Sequence, residues 1–422
     1  MKEDLYSQGE ALLARAEKEA QYAQVIISCP AEQRLEIINN KPDSCTATNE
    51  IMYAVLVHLN GRAGLSTASR FSPEIIERAL AVARSSAAKE YFYGLPEKKC
   101  IQKPEVYDPR VAALDVDMQL KLAEELIASM DSARLSSGSL TKEVTTHLVF
   151  TSEGVQQNEQ STSFSAVVEC IARQGERVSS AWDYKQERGL FPVAPFGTAL
   201  AEKTNRFLHA KQLHEKTRTI IVKPEPFAEL LENAFLANLN GKNVEKGRSI
   251  IAGKIGQKVA SPTINISDNG LLPLGMLSRA VDCEGTPSQE TKLISQGVLQ
   301  QFIYDHNTAL HTGKESTGNA GIGGIEHTNI VVEGEYQEVS EALVIDSVIG
   351  AHTADDIATD FSVTVDRAYL VKNGEKIPVT GFMISGKMSE ALQMAVSLGK
   401  KREERNGIYT GALATTGINV VI

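Results

Sequence analysis

Histidine, glutamate and cysteine could hold a metal or move a proton in this chain, and their spacing decides which chemistry is open. There are eight histidines and five cysteines. His209 and His214 lie five apart, and so do His306 and His311 in YDHNTALHTG. On a regular helix, positions five apart diverge by about 140°, at ~100° per residue, so neither pair points at one ion. His214-Glu215 is the only His-Glu dipeptide and has no second histidine downstream at ligand spacing, while His327 and His352 stand alone. These read as exposed surface histidines. The cysteines at 29, 45, 100, 170 and 283 are scattered and include no C-x-x-C pair. That pattern suits reduced thiols, and neither a disulfide framework nor a structural zinc site.

Glycine-rich segments offer little more. GNAGIGGIE holds Gly321, Gly323 and Gly324 but neither follows a strand nor opens a helix, and GKES has no upstream glycine to make a P-loop. No G-x-S-x-G elbow is present. Asp282 and Glu284 could form an acid/base pair, although a solvated turn before Gly285 is the plainer reading. Loops rich in Gly, Ser, Thr, Asp and Asn bind ligands more often than cores do, and VDCEGTPSQETKLISQGVLQQFIYD with STGNA is such a cluster.

Composition narrows the class. The 422 residues are 42% hydrophobic and 23% charged, as expected of an ordinary globular protein. The net charge of −10, with no basic stripe carrying aromatics, argues against nucleic acid as a partner. MKEDLYSQGEALLARAEKEA alternates like an amphipathic helix and lacks a signal-peptide core, and IMYAVLV is too short to span a bilayer. The expected location is cytoplasmic, with no membrane association.

The elements that must position these residues fall into two groups. Helices are expected at 3–20, 73–88, 116–133 and 197–213, with strands at 23–28, 35–38, 51–59, 63–68, 144–151, 162–173 and 177–183. Asn60-Gly61 between two apolar runs is a strong hairpin signal. From Thr217 on, short β-branched runs (219–222, 263–267, 328–332, 362–370, 377–384) alternate with glycine-rich loops, with helices at 225–239, 338–346 and 388–397. The fold class is α+β: an N-terminal domain (1–216) of helices mixed with antiparallel hairpins, then a C-terminal domain (217–422) dominated by antiparallel sheet.

Taken together, KGRSIIAGKIGQKVASP, DCEGTPSQETKLISQGVLQQFIYD, STGNA and NGEKIPVTGFMISGK, with the early hairpin VLVHLNGRAGLSTAS, resemble the TldD/PmbA family, also called modulator of DNA gyrase. The resemblance implies one of two branches. The TldD branch is a zinc peptidase with His-Glu-x-x-x-His just before the GRS segment. Aligned on GRSIIAG, this chain has Glu232 and Ala237 at the two histidine positions and Asn233 at the glutamate position, and no cysteine follows Cys283. Where the metal-binding branch has a glycine before its second histidine, this chain has Leu236, which favours an uninterrupted helix with Glu232 and Asn233 on its solvated face.

The chain therefore resembles the PmbA (TldE) branch. This implies a non-catalytic subunit with no cofactor of its own, paired with a TldD-type partner that holds the zinc and processes unfolded peptides. Alone, such a subunit is expected to be a homodimer. Asp282, Glu284, Gly285, Tyr304, Thr317, Gly318 and Asn319 are the candidate peptide-binding or cleft residues. Two alternatives stay open: a metallopeptidase with an unorthodox site, or an adaptor acting on another target such as DNA gyrase.

Overall fold

The protein, described here by a computed structural model, is defined over residues 2–215 and 217–422. Alternation of apolar and polar residues builds the first sheet. It contains β1 (Tyr22–Ile38), β2 (Lys41–Asn49), β3 (Met52–Leu59), β4 (Arg62–Ala68), β5 (Arg134–Thr151), β6 (Gln156–Gln174) and β7 (Arg177–Glu187). Its order is β4-β3-β1-β5-β6-β7, with β2 beside β1, and every pairing is antiparallel.

The expected strands at 23–28 and 35–38 are one strand. β3 pairs with Tyr22–Ser28 and β2 with Ala31–Ile38, so Pro30 sits at the handover between them. A missing N–H costs least there. Val25, Ile27, Cys29, Leu35 and Ile37 share one buried face. Helices α1 (Lys2–Ala16) and α2 (Glu74–Ser85) cover half of that face. After the short α3 (Pro109–Ala112), α4 (Val116–Ala128) and α5 (Val193–Arg206) cover the other half.

The chain after residue 210 forms two further sheets around one core. Its elements begin with β8 (Lys211–Gln212), β9 (Ile220–Val222), α6 (Pro224–Ala234) and α7 (Gly241–Glu245). Next come β10 (Ile264–Asn269), β11 (Glu290–Ser295), β12 (Val298–Leu299), α8 (His306–His311), β13 (Asn329–Gly334) and β14 (Ala342–Ile349). The remainder is β15 (Asp360–Lys372), β16 (Glu375–Thr380), β17 (Phe382–Lys387), α9 (Met388–Gln393) and β18 (Ala395–Leu398). It closes with β19 (Glu403–Arg405), β20 (Ile408–Thr410), β21 (Leu413–Thr415) and β22 (Ile418–Val421). A six-stranded sheet runs β12-β11-β10-β13-β20-β19. A nine-stranded sheet runs β18-β21-β9-β14-β15-β16-β8, with β17 and β22 attached through β15. The α+β class holds, and no helix among the described residues is long and apolar enough to cross a membrane.

Besides the helix expected at 225–239, which ends early beside the candidate site, three expected helices differ. The segment expected as helix 338–346 runs into strand β14, whose Leu343 and Ile345 are fully buried between β9 and β15. Pairing on both sides outweighs the helical spacing of a short apolar run. Helix 388–397 stops at Gln393, and Ala395–Leu398 pairs with β21. The helix expected at 197–213 ends at Arg206, so His209 and His214 do not share it.

Candidate functional site

Helix α6 starts with proline at its first position and buries Phe227, Leu230, Leu231 and Ala234. It does not run on to 239. The chain breaks at Phe235 (φ −154°, ψ −42°) and continues as a 3-10 turn, Leu236–Leu239. Helix preference at Leu236 is worth tenths of a kcal/mol, and buried Asn238 outweighs it. The Asn238 amide donates to the carbonyls of Asp356 (2.9 Å) and Ile357 (3.1 Å), and its oxygen accepts from the Ile250 N–H at 2.8 Å. Those bonds contribute about 1 kcal/mol each and need the turn. The turn also buries Phe235, Leu236 and Leu239 in the surrounding core.

The break separates Glu232 and Asn233 from Ala237. These three are half-buried and do not form a solvated face. Asn233 donates its amide to the Glu229 carbonyl at 2.9 Å, and Glu232 accepts from Asn406 at 3.5 Å. Ala237 presents a methyl group. A zinc site would need three nitrogen, sulfur or carboxylate ligands. One carboxylate, one committed amide and one methyl do not fit the ion. Among the described residues, no group of three His, Cys, Asp or Glu side chains is placed to hold a metal.

A buried ion network that nothing in the sequence flagged anchors the start of α6. Asp346, whose side chain is 1% exposed, lies between Lys203 (3.0 Å) and Lys223. Burial alone would raise its pKa, but the two ammonium groups outweigh that and hold the carboxyl below its usual range. Arg405 bridges Asp183 (3.2 Å) and Glu225 (3.9 Å), joining β7 to α6. Burial, then the Asp183 charge, push Glu225 up to about 7.

The predicted loop residues do come together, though not as a row of free side chains. Asp282 is 1% exposed, which replaces the solvated turn with a buried one. Its carboxylate accepts from the backbone N–H of Glu284 (2.9 Å), Thr286 (2.8 Å) and Ala320 (3.0 Å). Glu284 accepts from the His306 N–H at 2.9 Å and the Asn307 amide at 3.4 Å. Burial, with the nearby charges of Asp282 and Asp305, pushes Glu284 up to about 8. Burial likewise raises Asp282, to about 6.

Thr317 accepts from the Tyr304 N–H at 2.7 Å and donates to the Tyr304 carbonyl at 3.1 Å. Asn319, fully buried, donates to Asp268 (3.2 Å) and to the Glu326 carbonyl (2.9 Å). Gly318 (φ +76°) lies where a Cβ would meet the Pro287 carbonyl at 2.7 Å. Gly285 (φ +91°) packs equally close to Val155 of the first sheet, 2.9 Å from a would-be Cβ. These residues fasten three loops to one another and to β10 and α8.

Tyr304 and Thr317 also line a cavity of about 550 Å³. Its other walls are Ile255 and Gln289, Glu290 and Thr291 of β11, Gln300 and Gln301, and the loop from Gly313 to Ser316. The glutamines sit inside the quoted motif segment, but no spacing rule singled them out. A second unforeseen cluster ties residues 86–108, which have neither helix nor strand, to α7 and α8. The Tyr91 ring stacks on His311 at 3.9 Å, its hydroxyl donates to Glu245 (3.0 Å), and the Tyr93 N–H donates to Asn307 (2.7 Å).

Comparison with known proteins agrees with this architecture. Residues 215–421 match the PmbA/TldA metallopeptidase C-terminal domain, and residues 109–211 match the central domain of the same family. An uncharacterized protein of Methanocaldococcus jannaschii is 29% identical over 402 residues, covering 92% of this chain and 94% of that one. A metalloprotease PmbA homolog of Buchnera aphidicola is 23% identical over 349 residues, covering 79% of this chain and 77% of its own. The crystal structure of TldE from Thermococcus kodakarensis superposes with a TM-score of 0.88 at 22% identity, over 98% of this chain and 100% of that one. With matched domains spanning most of its length, the chain belongs to the TldD/PmbA family.

Proposed function

We propose that the chain is the PmbA (TldE)-type, non-catalytic subunit of a metallopeptidase that processes unfolded peptides, with zinc held by a TldD-type partner carrying His-Glu-x-x-x-His. One observation carries this reading. The bend that would let two ligands flank a helix break is present at Phe235, but the flanking side chains are Glu232, Asn233 and Ala237. Asn cannot serve as the general base that takes a proton from metal-bound water, and a methyl group cannot bind a metal. The seat is kept and its chemistry is gone. A family member in this condition acts through an interface, as a homodimer when alone and as a heteromer with the zinc-bearing subunit.

Elemental analysis after dialysis, with co-expression of a His-Glu-x-x-x-His paralogue and gel filtration, tests this. The expected result is no stoichiometric zinc and no peptidase activity in the isolated chain, with co-elution of the two subunits. One tightly held zinc per chain with chelator-sensitive activity, or independent elution at micromolar concentration, would overturn it.

A further inference from the structure

A second cleft, of about 900 Å³, lies where the first sheet meets the rest of the chain. β7 and α5 form one side of it, and Lys223, Tyr369 and residues 401–405 form the other. That volume suits a small molecule. Nine basic side chains line it against five acidic ones, an excess of four positive charges in a chain of net charge −10. Five of the nine are arginines, whose planar forks match the oxygens of a phosphate. Several of these charges are only loosely held. Arg206 pairs with Glu202 and Lys401 with Glu403, and the two basic side chains are 59% and 85% exposed. Such pairs contribute little and are free to turn toward an anion. Arg188 makes no ion pair among the described residues. Its guanidinium donates to the carbonyls of Gly275 (3.2 Å), Met276 (2.5 Å) and Thr162 (3.4 Å). Burial pushes its pKa below the ordinary arginine value, against the weaker opposing pull of Glu159.

The apolar lining is gathered toward one end. On α5, Phe196, Leu200 and Lys203 follow at spacings of four and three, so they share one face, and Arg206 continues it. From Phe196 to Lys203 the wall passes from apolar to basic over about 10 Å, at ~1.5 Å per residue. Leu274 adds to the apolar lining. Its backbone is held at φ +53°, with its N–H bonded to the Glu105 carbonyl at 2.7 Å, and the residue is 40% exposed. A branched side chain rarely adopts that conformation. A strained backbone that leaves an apolar side chain open to water destabilises the protein, and such strain gathers at ligand sites.

We propose that this cleft binds a small phosphate ester with an aromatic or apolar body, its phosphate at the Lys203 and Arg206 end of α5 and its body at the Phe196 end. A dianion offsets the excess positive charge further than a carboxylate does, and the body covers Phe196 and Leu274. The site rests on neither zinc nor a partner subunit.

The test titrates the full chain with 1-naphthyl phosphate, 1-naphthoate, 1-naphthol and inorganic phosphate. The ester should bind about tenfold more tightly than 1-naphthol or inorganic phosphate, since one molecule then makes both sets of contacts for a single loss of free motion. The singly charged naphthoate should fall between. Arg206→Ser with Lys401→Ser removes two exposed charges, and should weaken the ester about tenfold while the thermal midpoint holds. Leu274→Asn suits the positive φ but removes the apolar wall. It should weaken the ester about fivefold and leave inorganic phosphate binding and the midpoint unchanged. Equal binding of the ester and 1-naphthol, or of the ester and naphthoate, would overturn the proposal. So would full ester affinity in either variant, or no binding at millimolar ester. None of those results bears on zinc content or partner co-elution, so the two readings can fail separately.

Discussion

The helix break at Phe235 and the fastened loops around Asp282 are both rich in polar residues, and they use them in opposite ways. At the break, Glu232 and Asn233 are half-buried and hold one weak contact and one local amide bond. In the loops, Asp282 is sealed off and all its bonds go to backbone N–H groups of two segments. Glu232 and Asn233 at the break tolerate change because water can replace what is lost. Asp282 in the loops does not, because nothing can.

The largest effect expected is from Asp282→Ala. Three buried N–H groups lose their acceptor at once, which should cost about 3–5 kcal/mol in a denaturant melt. A loss below about 1 kcal/mol would mean the loops are held by packing instead. Asn238→Ala comes next. It removes two donations to carbonyls and one acceptance at the break, for roughly 2–4 kcal/mol. If α6 then lengthens past Phe235, seen as slower exchange of the Leu236 and Ala237 amides, Asn238 is what breaks the helix.

The pH dependence of stability sharpens the contrast. Glu284 has a folded pKa near 8, well above its ordinary value. The folded state therefore binds more protons than the unfolded one between about pH 4.5 and 8. Stability from this group is fully present below that window and is lost as pH rises through it. Glu284→Gln should flatten the slope over that range by roughly 1–3 kcal/mol, measured as melts at pH 5 and 8. An unchanged slope would move the effect to Asp282 or Glu225. The smallest change is expected from Glu232→Gln, within about 0.5 kcal/mol, because its single long contact to Asn406 survives as an amide pair. A large loss there would erase the distinction between the two regions.

Much of this was legible before the fold. The Asn60-Gly61 turn, the strands at 144–151, 162–173 and 177–183 and the start of the helix at 225 follow from local spacing alone, and each is present. Leu236 shows the limit: a good helix former sits in a 3-10 turn because Asn238, two residues on, bonds to carbonyls nearly 120 positions away. The strand at Ala342–Ile349 shows the same limit, since its pairing partners lie at 220–222 and 364–371.

The sequence by itself determined which groups stand at the helix break, because residue identity does not depend on neighbours: a methyl at 237 and an amide at 233 stay what they are. It also settled the family, through several ordered motifs. Only the tertiary structure decided what the buried acids do. Whether Asp282 faces water or three N–H groups, and whether Asp346 lies between two lysines, depends on segments that meet only when the sheets assemble. Burial then sets the cost of every unpaired charge, and that cost cannot be read from one stretch of chain.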